Sequence, residues 1–150
     1  MSWVKSLEKN TVTLYERLKN VEKIKFSEGI FGLEDFNEAK LVLNKEDFPV
    51  FILSQEKEGS ITEFFVSYLL GEVEGYSPEL RKEDVPLSFI TSDEDLIFLN
   101  ILTVWPRNSD HSKITANLIA PLIVNTKKRI GKQVFLFNSE EYSSEHLLVP

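Results

Sequence analysis

Short runs in which apolar and polar residues alternate, separated by turn-forming residues, dominate this chain. Their two-residue period is that of half-buried β-strands. "TVTLY" (11–15) puts Val12 and Leu14 on one face, and "VEKIKF" (21–26) spaces Val21, Ile24 and Phe26 less regularly. "KLVLN" (40–44) and "FPVFILSQ" (48–55) read as paired strands joined by a polar "KED" turn. "TEFFVSYLL" (62–70) is a further strand and "EVEGYS" (72–77) a shorter, charged one. Two segments break the pattern: "LEDFNEA" (33–39), with room for one or two helical turns, and "SPELRKEDV" (77–85), whose early proline suits a short helix. "DLIFLNILTVW" (95–105) is apolar on both faces, with Leu96, Phe98, Leu102 and Val104 opposite Ile97, Leu99 and Ile101. Such a strand is covered twice, or covered once and open to a partner.

The clearest alternation lies in "ITANLIAPLIVNTKKRIGKQVFLF" (114–137), yet it contains Asn117 and Pro121. Ile114, Ala116, Leu118, Ala120, Leu122 and Val124 share one face. Proline donates nothing to a ladder, so Pro121 marks an edge, a bulge or a change of pairing partner. Asn117, like Asn100, either ties off a backbone group beside that irregularity or bonds a partner's main chain. The "TKKRIG" turn returns the chain into "KQVFLF", with Gly131 free to take positive φ. About eight short strands predict an all-β fold, a small antiparallel β-barrel-like or strongly bent sandwich domain with one or two short helices. Residues 1–150 are expected to form one domain, with 137–150 a loosely held tail.

Composition narrows the function. No cysteine is present among the 150 residues, which excludes disulfides, thiolate metal sites and cysteine nucleophiles. "MSWVKSLEKN" has no apolar core for a secretory signal, and no run approaches the ~18 apolar residues of a membrane span. These features predict a soluble cytoplasmic protein without membrane association. The net charge of −7 is concentrated in residues 55–95, where eleven acids face three bases. That segment would repel a phosphate backbone, so direct nucleic-acid binding is not expected. It serves either as a solvated face or as an attraction for a basic protein.

Catalytic signals are essentially absent. His111 and His146 have neighbouring acids but no metal-ligand spacing. No G-x-S-x-G elbow occurs, and the glutamates of "GEVEG" (71–75) would oppose an anion. Neither a metal nor another cofactor is expected. Binding has stronger candidates: Ile30, Phe31, Leu33 and Phe36 for apolar contact, Glu72 and Glu74 for attraction, and Asn117 and Pro121 for shaping the sheet edge. Each apolar residue is otherwise simply core, although Phe31, between Gly29 and Gly32, belongs to a turn where large apolar groups are exposed or docked. Two rival readings stand: a barrel carrying a small apolar ligand, and a hydrolase with a surface carboxylate pair.

"IKFSEGIFGLEDF" (24–36) resembles the "ITF-x-x-GIPGF" signature of the flagellar assembly factor FliW family. "ITANLIAPLIVNTKKRIGKQVFL" (114–136) resembles that family's "TANLxAPIVxNxxxxxGxQ" block, and "FPVFILSQ" resembles its middle segment, in the same order. The family's proline in the first signature is Phe31 here, which loosens the turn but adds apolar area. The resemblance implies a non-enzymatic cytoplasmic protein with a small β-barrel-like fold. It implies two partners: the C-terminal region of flagellin before export, and the translational regulator CsrA, whose repression of flagellin mRNA is thereby relieved.

Overall fold

The computed structural model describes residues 16, 18–43, 50–85, 96–105 and 113–149. The strand expected at 11–15, the "KED" turn and His111 lie outside them. Nine strands occur among the described residues: β1 Lys23–Lys25, β2 Glu38–Val42, β3 Val50–Lys57, β4 Ser60–Ser67, β5 Leu96–Trp105, β6 Lys113–Ala116, β7 Leu122–Asn125, β8 Ile130–Gln133 and β9 His146–Val149. Seven close into a barrel in the order β4-β3-β2-β1-β8-β7-β5, with β5 returning to β4, while β6 and β9 extend outside it.

The all-β expectation holds, with one refinement. The barrel is mixed, because β1 meets β8 in parallel at Lys25↔Ile130 and the Lys25 N–H donates to the Arg129 carbonyl at 2.9 Å. Parallel neighbours need a long intervening chain, which a reading built on hairpins does not foresee. The β3–β4 hairpin is the most regular element, paired from Val50↔Ser67 to Lys57↔Ser60. Its turn residues Glu58 and Gly59 both have positive φ, 53° and 84°, the geometry that matches the twist of a tight hairpin.

Strand alternation directs Ile24, Ala39, Leu41, Phe51, Leu53 and Val66 into the core, all buried. Phe36 bridges Phe26, at 6.2 Å between centroids, and Phe64, edge-on at 5.0 Å. Gly131 in β8 corrects an expectation. The left-handed residue of its turn is Arg129, with φ 60°, and Gly131 is not among the positive-φ residues. The glycine is required because any Cβ there would be driven into the Phe26 ring.

One further segment departs from expectation, and two others hold only short turns of the kind expected. Residues 72–77 form turns, not a strand: Glu72 and Val73 N–H both donate to the Leu69 carbonyl and Tyr76 N–H to that of Val73. Gly71 and Gly75 supply the positive φ angles, 88° and 79°. Residues 33–39 make one turn, Phe36 N–H to Leu33 carbonyl, before β2 starts at Glu38. Within 77–85 only Lys82–Asp84 is helical, as a 3-10 turn. The supposedly loose tail is tied down. Asn138 accepts from the Glu79 N–H and donates to the Ser77 carbonyl, and β9 pairs with β6.

The 114–124 run divides at its proline. β6 and β7 both pair with β5, at Leu102↔Ala116 and Leu99↔Leu122. Three steps along β5 thus oppose six along its neighbour, so residues 117–121 form a bulge. Asn117 Oδ1 accepts from the N–H groups of Ile119 and Ala120. Asn100 Nδ2 donates to the Asn117 carbonyl and to the Tyr76 hydroxyl, which donates to the Leu118 carbonyl at 3.2 Å.

Burial pushes the Tyr76 phenol above its ordinary pKa; the Asn100 hydrogen bond opposes this and the nearby Tyr142 adds to it. A raised folded pKa means stability is complete below pH ~10 and falls as pH rises beyond it, because the unfolded phenol ionises first. Alkaline denaturation of wild type should therefore be steeper above pH ~10 than that of Tyr76→Phe, by about 1.4 kcal/mol per pH unit. At neutral pH that variant should lose roughly 1–3 kcal/mol by chemical denaturation. Gly131→Ala should lose a similar amount, about 1–3 kcal/mol, by overpacking.

Candidate functional site

The "GIFG" turn is built by two glycines. Gly29 has φ 68°, and a Cβ there would lie 2.6 Å from the Glu34 Cα, so no other residue fits. Ile30 and Leu33 exchange backbone hydrogen bonds of 3.1 and 2.7 Å, leaving Phe31 and Gly32 at the tip. The positive φ of Gly32, 83°, at the second central position marks a type II turn. This geometry points the Phe31 ring outward onto Phe135, with centroids 4.9 Å apart and planes 20° from parallel.

Phe31, Leu33, Phe135 and Phe137 expose 51%, 43%, 57% and 61% of their surface, a density of large apolar groups uncommon on a solvated face. Phe135 and Phe137 follow β8 and alternate with buried Val134 and Leu136. The Arg81 guanidinium stands 5.6 Å from the Phe137 ring centre, a cation–π arrangement. A cleft of about 300 Å³ lies beside the Phe31–Phe135 pair, lined by Glu28, Phe31, Arg81, Asp84, Lys132 and Phe135 among others. Lys132 and Glu28 approach to 3.7 Å across its rim.

One buried side chain holds the turn in place. Gln133 Oε1 accepts from the Phe31 N–H at 2.7 Å, and its Nε2 donates to the Ala120 carbonyl at 3.1 Å. The amide thereby links the "GIFG" turn to the bulge at 117–121. Tyr76 holds the other side of that bulge through Leu118 and, by its backbone bond to Val73, fixes the turn bearing Glu72 and Glu74. Both glutamates are exposed.

The structure sorts the expected site residues. Phe31 and Leu33 are together on the surface, whereas Ile30 and Phe36 are buried at 4% and 2% exposure and act as core beneath them. The turn's own backbone pairing faces Ile30 inward, and Phe36 packs between Phe26 and Phe64. Pro121 is buried and Asn117 half-buried; both shape the bulge. Glu72 and Glu74 sit on a separate turn, linked to the Phe31 turn through the bulge. Gln133, Phe135, Phe137 and Arg81 were not foreseen, although the alternation in "KQVFLF" carries a signal for the two phenylalanines. His146 is half-buried in β9, and no cluster of three potential metal ligands occurs among the described residues. No described helix is long and apolar enough to cross a membrane.

The family model described as "FliW protein" matches residues 3–148. The chain belongs to the FliW family. It is 37% identical over 128 residues to the flagellar assembly factor FliW of Borrelia turicatae, covering 83% of this chain and 94% of that one. To the flagellar assembly factor FliW of Clostridium botulinum (strain Hall) it is 32% identical over 125 residues, covering 83% and 84%. A solved structure, "Crystal structure of the flagellar assembly factor FliW", superposes with a TM-score of 0.68 at 29% identity, covering 87% of this chain and 88% of that one.

Membership sharpens the meaning of Phe31. A proline at this position of the signature would preset φ but has no N–H. Phenylalanine supplies the N–H that Gln133 accepts, so here the turn is held by a side-chain hydrogen bond. Gln133→Met should leave the Phe31 N–H and the Ala120 carbonyl unpaired, costing roughly 1–3 kcal/mol in urea denaturation. Amide exchange at Phe31 should accelerate in that variant; an unchanged rate would show that the amide does not hold the turn.

Proposed function

We propose that this chain is a non-enzymatic flagellar assembly factor of the cytoplasm that binds two proteins. The C-terminal region of flagellin is held at the surface formed by Phe31, Leu33, Phe135 and Phe137. CsrA is bound through the acidic turn carrying Glu72 and Glu74, which relieves its repression of flagellin translation. The relatives are named flagellar assembly factors, and the resemblance in the two signature blocks supplies the partners. The observation that carries the reading is the stacked pair Phe31–Phe135, exposed yet braced from below by Gln133.

The physical logic is that of an amphipathic helix meeting a preformed apolar face. Rigid aromatic rings lose little side-chain entropy on binding, and the turn is already held in place. Arg81, Asp84, Lys132 and Glu28 around the cleft offer both signs of charge to a helix's polar flank. For the second partner, two exposed carboxylates within three residues steer a basic protein without contributing much buried contact. The two surfaces meet at one bulge, so one partner's binding has a short structural route to the other's site. The barrel interior is filled by side chains such as Phe26, Phe36, Phe51 and Leu53, which counts against carriage of an apolar ligand inside it.

Calorimetric titration with the flagellin C-terminal region tests the first surface. Phe31→Asp and Phe135→Asp should each weaken binding by about 1–3 kcal/mol, with the circular dichroism spectrum unchanged. Wild-type affinity in both variants would remove this surface from the site. For CsrA, Glu72→Lys with Glu74→Lys should slow association and reduce its dependence on salt. If CsrA binding is indifferent to salt and to both substitutions, the acidic turn is not its site.

A further inference from the structure

An exposed phenylalanine with nothing against its ring keeps its side-chain rotations and must give them up on binding. Phe135 avoids this cost because Phe31 is stacked on it. Phe137 is the most exposed of the four apolar groups at this surface, and no other ring lies against it among the described residues. What stands over its face is the Arg81 guanidinium, 5.6 Å from the ring centre.

Arg81 reaches that position because the segment before it is tied to the chain that bears Phe137. The Phe137 N–H donates to the Glu79 carbonyl at 2.8 Å. Asn138, a buried side chain, accepts from the Glu79 N–H at 3.0 Å and donates to the Ser77 carbonyl at 2.9 Å. Three hydrogen bonds thus hold residues 77–79 against 137–138. Arg81 follows with extended backbone, φ −84° and ψ 143°. Pro78 and Leu80 are buried and Arg81 is exposed, the alternation of an extended segment lying on a core. The Arg81 side chain makes no hydrogen bond or ion pair with any described residue, although Asp84 lines the same cleft. Its contact is the ring. The two halves of the surface are therefore built alike. The buried amide of Gln133 holds the turn whose Phe31 backs Phe135, and the buried amide of Asn138 holds the segment whose Arg81 backs Phe137.

We propose that Arg81 is a positioning residue of the flagellin-binding surface, its guanidinium holding the Phe137 ring in the orientation that the partner helix meets. This role lies beyond the charge it adds to the cleft, and it rests on the reading that the aromatic surface holds the flagellin C-terminal region. A planar, delocalised and weakly hydrated cation can lie along a ring face in a way that the compact, strongly hydrated ammonium of lysine does not reproduce. Because Arg81 acts through Phe137, removing either partner should be felt once and not twice.

A double-mutant cycle, read by calorimetric titration with the flagellin C-terminal region, tests this. Arg81→Gln and Phe137→Leu should each weaken binding about fivefold, and the combined variant should stay within about twofold of Phe137→Leu alone. Arg81→Lys keeps the charge but should bind about as weakly as Arg81→Gln. In the free protein the Phe137 ring current should shift the Arg81 side-chain protons upfield in the NMR spectrum, and Phe137→Leu should abolish that shift. Wild-type affinity in Arg81→Gln would overturn the proposal, as would a loss in the combined variant equal to the product of the two single losses. Wild-type affinity in Arg81→Lys would also overturn it, by assigning Arg81 to charge alone. Phe31→Asp separates these results from the reading beneath them. Weakened binding in Phe31→Asp together with any of them removes Arg81 alone; wild-type affinity in Phe31→Asp removes the surface, and the positioning role with it.

Discussion

The three-residue register shift at 117–121 is the constraint on which the rest of this molecule depends. It lets one run of chain serve first as an outer strand and then as a barrel stave along the same edge of β5. The shift also removes carbonyls from the ladder, and buried carbonyls must find other partners. They find them in side chains that reach from elsewhere: Asn100 to Asn117, Tyr76 to Leu118 and Gln133 to Ala120. Two of these ties also fix a surface element each. Gln133 holds the aromatic turn, and Tyr76 the acidic one. A polar requirement created inside the sheet is thus answered by bonds that position groups on its outside.

That arrangement explains how a small barrel presents apolar surface without losing order. Exposed phenylalanines on a mobile loop would cluster in any conformation available to them. Here the Phe31 turn is pinned by two glycine conformations, one reciprocal backbone pair and the Gln133 amide. Phe135 and Phe137 stand on a segment whose alternate residues are core, tied to Glu79 through the Phe137 N–H. The surface is therefore preformed, and little ordering is left to oppose association.

Much of the fold was legible because it rests on periodicity. The alternating runs gave β2, β3, β4 and β5 close to their observed bounds, and Pro121 beside Asn117 signalled the bulge. What failed depended on partners distant in sequence. No local pattern reveals that β1 and β8 meet in parallel across a hundred intervening residues, or that "EVEGYS" satisfies its N–H groups in turns. Gly131 shows the same limit: its location in a turn suggested positive φ, whereas the true reason is a ring contact from Phe26. Among the candidate contact residues, the exposure of Phe31 is legible from its two glycines, whereas Ile30 and Phe36 look equally eligible until burial separates them. Gln133 stayed hidden because an amide's role lies in what it reaches, and both its partners are remote.

Amide hydrogen exchange across the chain, alone and with an excess of the flagellin C-terminal region, tests the central claim most directly. The account predicts slowed exchange at residues 30–33 and 134–137, with the barrel strands beneath them unchanged. Exchange in those two segments identical with and without flagellin, while another face became protected, would contradict it.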